Sequence, residues 1–158
     1  MIILGLDPGT ATTGYGIIRK ENQKFTLIDF GCICTQTDKS AGQRLREINC
    51  ELEKLIKKHK PDLISVETVY FFKNLKTAMP VSQARGVILF TAAKKNIPVC
   101  DITPLQMKMA VVGYGRADKK QVQKMVGNIL ELDKPIKSDD AADALGIAIC
   151  GGLKFYTS

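Results

Sequence analysis

Asp7 closes the apolar run Ile2-Ile3-Leu4-Gly5-Leu6, and Glu67 closes Leu63-Ile64-Ser65-Val66. Both runs read as buried strands. Acids at the carboxyl ends of neighbouring strands face the ligand crevice of sheets built with crossovers. Asp140 and Asp143 stand three apart in Ser138-Asp139-Asp140-Ala141-Ala142-Asp143-Ala144-Leu145. On a helix that spacing puts both carboxylates on one face. Four carboxylates at one point repel one another and raise each other's pKa unless cations intervene. Hard divalent ions with oxygen ligands suit such a set, Mg²⁺ first. Two ions about 4 Å apart activate water on one side of a phosphate and stabilise the leaving oxygen on the other. The chemistry implied is metal-dependent hydrolysis of a phosphodiester.

Each acid has a plainer explanation to beat. Asp before Pro-Gly is a common turn former, so Asp7 fits a turn as well as a ligand. Ser138 is a natural N-cap, and Asp139 and Asp140 in the first turn complement the helix dipole. Glu67 and Asp143 resist such readings. An acid ending a buried strand, or set among alanines on an apolar helix, needs a partner or a metal.

Basic residues and aromatics supply the second signal. Between Pro104 and Asn128 five cations (Lys108, Arg116, Lys119, Lys120, Lys124) stand against one acid, Asp118, around Gly113-Tyr114-Gly115. Cations at helix starts beside a glycine loop suit a phosphate backbone; for Lys120 and Lys124 singly, a solvated helix face fits equally. Tyr70, Phe71 and Phe72, followed by Lys73, come just after Glu67, and aromatics so placed can stack on bases or wedge between them. The whole chain carries a net charge of +7, consistent with a polyanionic partner.

Placing these residues requires a particular order of elements. Residues 2–7, 15–19 and 25–35 read as three strands with short connections, an antiparallel meander. Ser40 to Gln43 fits a capping box, and Leu45, Ile48, Leu52, Leu55 and Ile56 form one apolar stripe, ending at Lys57-Lys58-His59-Lys60-Pro61. That basic run reads as a solvated helix end, with His59 outside the chemistry. A fourth strand covers 62–67, a second helix 79–95, and a fifth strand 98–102. Thr103-Pro104 opens a third helix, Asp118 to Gln121 caps a fourth running to about Leu132, and Ser138 caps a fifth running to about Cys150. The expected fold is α/β: a mixed five-stranded sheet flanked by helices, one domain over 1–158.

Composition narrows the classes further. No apolar run approaches the roughly 20 residues that span a bilayer, and nothing at the start resembles a signal peptide, so a cytoplasmic location is expected. The five cysteines form no C-x-x-C pair and read as small buried hydrophobes in a reducing compartment, not a zinc site or disulfide frame.

The chain resembles the RuvC family of bacterial Holliday junction resolvases. The matching stretches, in family order, are Gly5-Leu6-Asp7-Pro8-Gly9, Glu67-Thr68-Val69-Tyr70 with Lys73-Asn74, Gln83-Ala84-Arg85-Gly86, Lys108 with residues 111–115, residues 119–126, and Asp140 to Leu145. The resemblance implies a ribonuclease H-like fold and a homodimer. It implies Mg²⁺-dependent paired nicking of two like-polarity strands of a four-way DNA junction, with Mn²⁺ as a substitute. It puts the catalytic, metal-binding tetrad at Asp7, Glu67, Asp140 and Asp143, and sets Lys108 and Lys119 near the cleaved strand, Lys119 as transition-state support. Tyr70 becomes the crossover aromatic, with Phe71 and Phe72 able to share the role; the family commonly has phenylalanine where Tyr70 stands. A branch-migration motor is a further partner the resemblance allows, and no membrane partner is expected.

Two other readings fit parts of the chain. Asp7-Pro8-Gly9-Thr10 with Thr12-Thr13-Gly14 looks like the phosphate loop of actin-like or sugar-kinase-like ATPases, but those need two such domains and 158 residues do not hold two. A domain of the same fold that binds junctions without cutting would need a broken tetrad, and all four acids are present.

Overall fold

The computed structural model describes residues 1–68 and 75–155. Strands β1 (Ile2–Asp7), β2 (Thr12–Glu21) and β3 (Lys24–Cys34) form the expected meander. Helix α1 (Ala41–His59) leads to β4 (Leu63–Glu67), then α2 (Leu75–Lys94), β5 (Val99–Ile102), α3 (Pro104–Val112), α4 (Lys119–Ile129) and α5 (Asp139–Lys154). The sheet order is β3-β2-β1-β4-β5, antiparallel through the meander and parallel from β1 to β4 to β5. This is the mixed five-stranded sheet the sequence implies.

Local chemistry accounts for most boundaries. The β2–β3 connection is tight: Glu21 pairs with Lys24, and Asn22 supplies the positive φ of 54° that such a hairpin needs. Ser40, Thr103 and Asp118 each make a full capping box, with Gln43, Gln106 and Gln121 as the returning side chains. α1 ends as expected in basic residues, with Lys60 in the left-handed region at φ 49°.

Four boundaries differ from the sequence reading. β2 runs from Thr12 to Glu21, longer at both ends than 15–19, because it pairs along the whole of β3. α2 starts at Leu75, four residues before Met79; Pro80 lies inside it, and a proline reads in sequence as a boundary. α4 stops at Ile129, with Glu131 at φ 53° turning the chain before Leu132. α5 continues through Gly151 and Gly152 to Lys154, since packing overrides the weak helix propensity of glycine.

The two faces of the sheet have separate cores. Alternation along the strands sends Leu4, Leu6, Ile17, Ile64 and Val66 to one side, against Leu52 and Ile56 of α1 and Ile88 and Ala92 of α2. Ile3, Ile18 and Leu63 point to the other side, against α5 and then α3 and α4. The result is helix pairs on one face, and on the other a central helix, α5, covered in turn by α3 and α4.

Candidate active site

Side-chain alternation decides where the strand-end acids point. In β1, Gly5 faces α5: a Cβ there would strike the Ala144 carbonyl oxygen and Ala148. Asp7, two residues on, therefore faces α5 as well. In β4, Ser65 lies under Gly151 of α5, so Glu67 shares that face. Leu6 pairs with Val66 in parallel register, which brings Asp7 and Glu67 side by side at the carboxyl ends of adjacent strands.

Two glycines let α5 come close enough to complete the set. A side chain at Gly5 would meet α5 backbone near Ala144 and Ala148, and one at Gly14 of β2 would meet the Asp140 backbone. α5 thus lies almost directly on the sheet, buried at every position from Ala141 to Gly152 except the half-buried Asp143. Ser138 starts it, accepting from the Ala141 N–H at 3.3 Å, and the first turns deliver Asp140 and Asp143 to the strand-end acids.

The electrostatics record that convergence. Burial, followed by the charges of Glu67, Asp143 and Asp140, pushes the Asp7 carboxyl up to about 8. Burial and the Asp143 charge push Glu67 up to about 7, against the opposing pull of its hydrogen bond with Asp7 and of Lys108. Asp7 and Glu67 are joined by a hydrogen bond, and both carboxyls lie well above the ordinary carboxylate range. Burial raises Asp143 too, opposed by Lys119 and Lys108 and reinforced by Asp139 and Asp140.

Among the described residues no three His, Cys, Asp or Glu side chains close into a ready ligand cluster. The acids instead interact through space and through the Asp7–Glu67 hydrogen bond, as expected of like charges brought together in a half-buried site. The donor set still fits hard divalent ions: it is all carboxylate oxygen, half-buried, and destabilised by its own repulsion, which is what a cation relieves. Asp7, Glu67, Asp140 and Asp143 are the side chains that would hold it.

The cations divide. Lys108, on α3, is within electrostatic reach of Glu67 and Asp143. Lys119, the first residue of α4, is felt by Asp143 and Asp140. Arg116 is exposed in the loop before α4. Lys120 faces elsewhere: with Lys124 and Lys134 it lines a groove of about 330 Å³ between α4 and the segment leading to α5. His59 is remote from the site, bonded at 3.1 Å to Asp29 of β3. Tyr70, Phe71, Phe72 and Lys73 lie outside the described residues.

One contact beside the site was not legible in the sequence. Asp139, assigned above to the helix start alone, accepts from Lys119 Nζ at 3.2 Å and from Gln123 Nε2 at 2.6 Å. The available signal was the pair of lysines opening α4. Cations at a helix N-terminus oppose its dipole, so they call for a nearby acid or a bound anion.

A five-stranded mixed sheet in this order, with acids at the ends of β1 and β4 and on the helix laid across them, defines a nuclease of the ribonuclease H-like class. The structure of Thermus thermophilus RuvC is similar over 99% of this chain and 96% of that one, with a TM-score of 0.91 and 29% identity. T. thermophilus RuvC in complex with its Holliday junction substrate matches at the same TM-score and 30% identity, covering 99% of this chain and 94% of that one. The family model "Crossover junction endodeoxyribonuclease RuvC" matches residues 3–151. The proteins of that name from Ruminiclostridium cellulolyticum and Syntrophomonas wolfei are 51% and 53% identical, over 96% and 95% of this chain and 92% and 87% of theirs. The chain belongs to the RuvC family. Among the described residues no helix is long and apolar enough to cross a membrane.

Proposed function

We propose that the chain is a crossover junction endodeoxyribonuclease. It resolves four-way DNA junctions by paired, metal-dependent hydrolytic nicks in strands of like polarity, during recombination and repair. What carries this reading is the convergence of Asp7, Glu67, Asp140 and Asp143 beside Lys108 and Lys119, in a chain of the RuvC family.

The tetrad would hold Mg²⁺, two ions per site, with Mn²⁺ able to substitute; bound there, they supply an activated water and charge relief at the leaving oxygen. The chain's own groups do the rest. Asp7 and Glu67, fixed on adjacent rigid strands, set the position of the scissile phosphate relative to Asp140 and Asp143. Lys119 stands where negative charge builds on that phosphate and supports the transition state. Lys108 neutralises the strand beside Glu67. Arg116 and Lys120 extend the contact to the phosphate backbone, which suits recognition of a branched shape over a sequence. Tyr70, Phe71, Phe72 and Lys73 are assigned the crossover on the family resemblance.

The working form is a homodimer, because a junction of near two-fold symmetry presents two equivalent strands to two equivalent sites. α2 carries a suitable surface: Met79, Gln83, Gly86 and Phe90 are exposed at helical spacing, with Met79 69% and Phe90 65% accessible. The chain acts as one domain over 1–158, in the bacterial cytoplasm, where a branch-migration complex is a candidate partner.

The test is cleavage of a synthetic four-way junction against a linear duplex of the same sequence, with and without Mg²⁺. Paired, symmetric nicks in the junction alone, dependent on the metal, are expected. Equal cutting of linear duplex would overturn the substrate, and cutting in excess chelator would overturn the metal site.

A further inference from the structure

Asp139 stands between two elements that the proposed chemistry needs in register. It is the first residue of α5, directly before Asp140. Its two carboxylate oxygens are used separately: Oδ2 accepts from Lys119 Nζ at 3.2 Å and Oδ1 accepts from Gln123 Nε2 at 2.6 Å. Lys119 and Gln123 are four apart on α4 and so share one face, one turn from each other. A single carboxylate therefore spans a full turn of α4 and ties it to the start of α5.

The tie matters because of what Lys119 would do without it. Its ammonium sits on a long flexible stem, and the side chain is 68% exposed. It also opens a helix whose dipole repels it, with only the Asp118 cap to offset the cost. A lysine in that position ranges widely through solvent. The Asp139 carboxylate gives it one preferred position, within electrostatic reach of Asp140 and Asp143.

We propose that Asp139 is a positioning residue for cleavage: it holds Lys119, through a carboxylate itself pinned by Gln123, at the edge of the tetrad. The proposal rests on the role given to Lys119 under the proposed function. Asp139 touches neither the phosphate nor an ion in this scheme; it acts through Lys119.

A double-mutant cycle on single-turnover junction cleavage, at saturating enzyme and Mg²⁺, tests it. Asp139→Ala should slow cleavage about fivefold, the rate equivalent of a good exposed ion pair. Gln123→Ala should lower the rate in the same direction and by less. Junction affinity and melting temperature should stay near the parent's. In a Lys119→Ala background, Asp139→Ala should have no further effect, since there is then nothing to position. Equal loss in both backgrounds would show a structural role and overturn the proposal, as would a parental rate for Asp139→Ala. If Asp139→Ala folds poorly, Gln123→Ala carries the same cycle. A parental rate for Lys119→Ala alone would instead remove the role of Lys119, a separate failure recognisable from that one variant.

Discussion

Helices α1 and α5 lie on opposite faces of the same sheet and are built on opposite plans. α1 is amphipathic: Ile48, Leu52 and Ile56 are buried, and its outer face carries ion pairs such as Lys54–Glu51 at 2.6 Å. It is tied to neighbouring elements by Lys94–Glu53 and by Lys58–Asp29. α5 has no solvent face to speak of. From Ala141 to Gly152 small and apolar residues bury it on all sides, and glycines of the strands bring it onto the sheet. The first plan tolerates change on its outside and does no chemistry. The second brings two carboxylates into electrostatic reach of two others, at the cost of close packing against the strands. The proposed active site follows the second plan because a cleavage site needs position, and α1 needs only to cover the sheet.

That contrast is open to attack at its centre. Asp7→Asn keeps the shape of the site and replaces one carboxylate ligand, on the face that α5 covers, with a neutral amide. Cleavage with Mg²⁺ should fall by roughly a thousandfold or more, as expected when a group acting on the transition state is lost, with junction affinity near the parent's. The melting temperature should hold or rise, because a carboxyl pushed up to about 8 by burial and like charge is replaced by a neutral amide. Substantial residual cleavage in single-turnover assays would remove Asp7 from the site.

Packing should matter nearly as much as charge on this face. Gly14→Val places branched atoms where the Asp140 backbone now lies, so α5 must lift or β2 must bend. A loss of about 3 kcal/mol or more is expected from overpacking of this kind, readable in urea unfolding, together with loss of cleavage. By contrast Gly42, on α1, has nothing within 4 Å of a built Cβ. Gly42→Ala should leave stability unchanged or slightly raised. Similar costs at the two glycines would erase the distinction between the faces.

The same distinction governs how much could be read in the sequence. α1 was legible to within a residue because amphipathic helices write themselves as a stripe with a cap and a basic end. The strand-end acids were legible because an acid after four or five apolar residues is conspicuous. α5 was legible at its start, through Ser138, and not at its end. Total burial leaves no stripe, and Gly151 and Gly152, which look like a stop, are there to clear Ser65, Ile3 and Phe25. Gly5 and Gly14 carried no readable signal either, since the reason for each lies on α5, more than a hundred residues away. The helix-start reading of Asp139 holds, but its second set of contacts was not legible: a first-turn acid satisfies the helix dipole by itself, and only the three-dimensional structure reveals that Lys119 and Gln123 of α4 also bond to it.

The smallest effect should come from the α1 side, and its pH dependence makes it measurable. Asp29 of β3 accepts from Lys58 Nζ and His59 Nε2, both at 3.1 Å, joining the outer strand to the end of α1. Partial burial acts to raise its carboxyl, but Lys58 and then His59 more than offset this and hold it below the usual carboxylate range. A depressed carboxylate stabilises the fold at pH values above its unfolded pKa, about 3.9, and that stabilisation is lost as pH falls through the folded value. Asp29→Asn should therefore cost at most about 1 kcal/mol at pH 7, as surface ion pairs do. The gap between variant and parent should close as urea melts are taken below pH 4, with cleavage at neutral pH unaffected. A change in cleavage rate without a change in stability would mean that the α1 face reaches the chemistry after all, and that the two plans are coupled through β3 and β2.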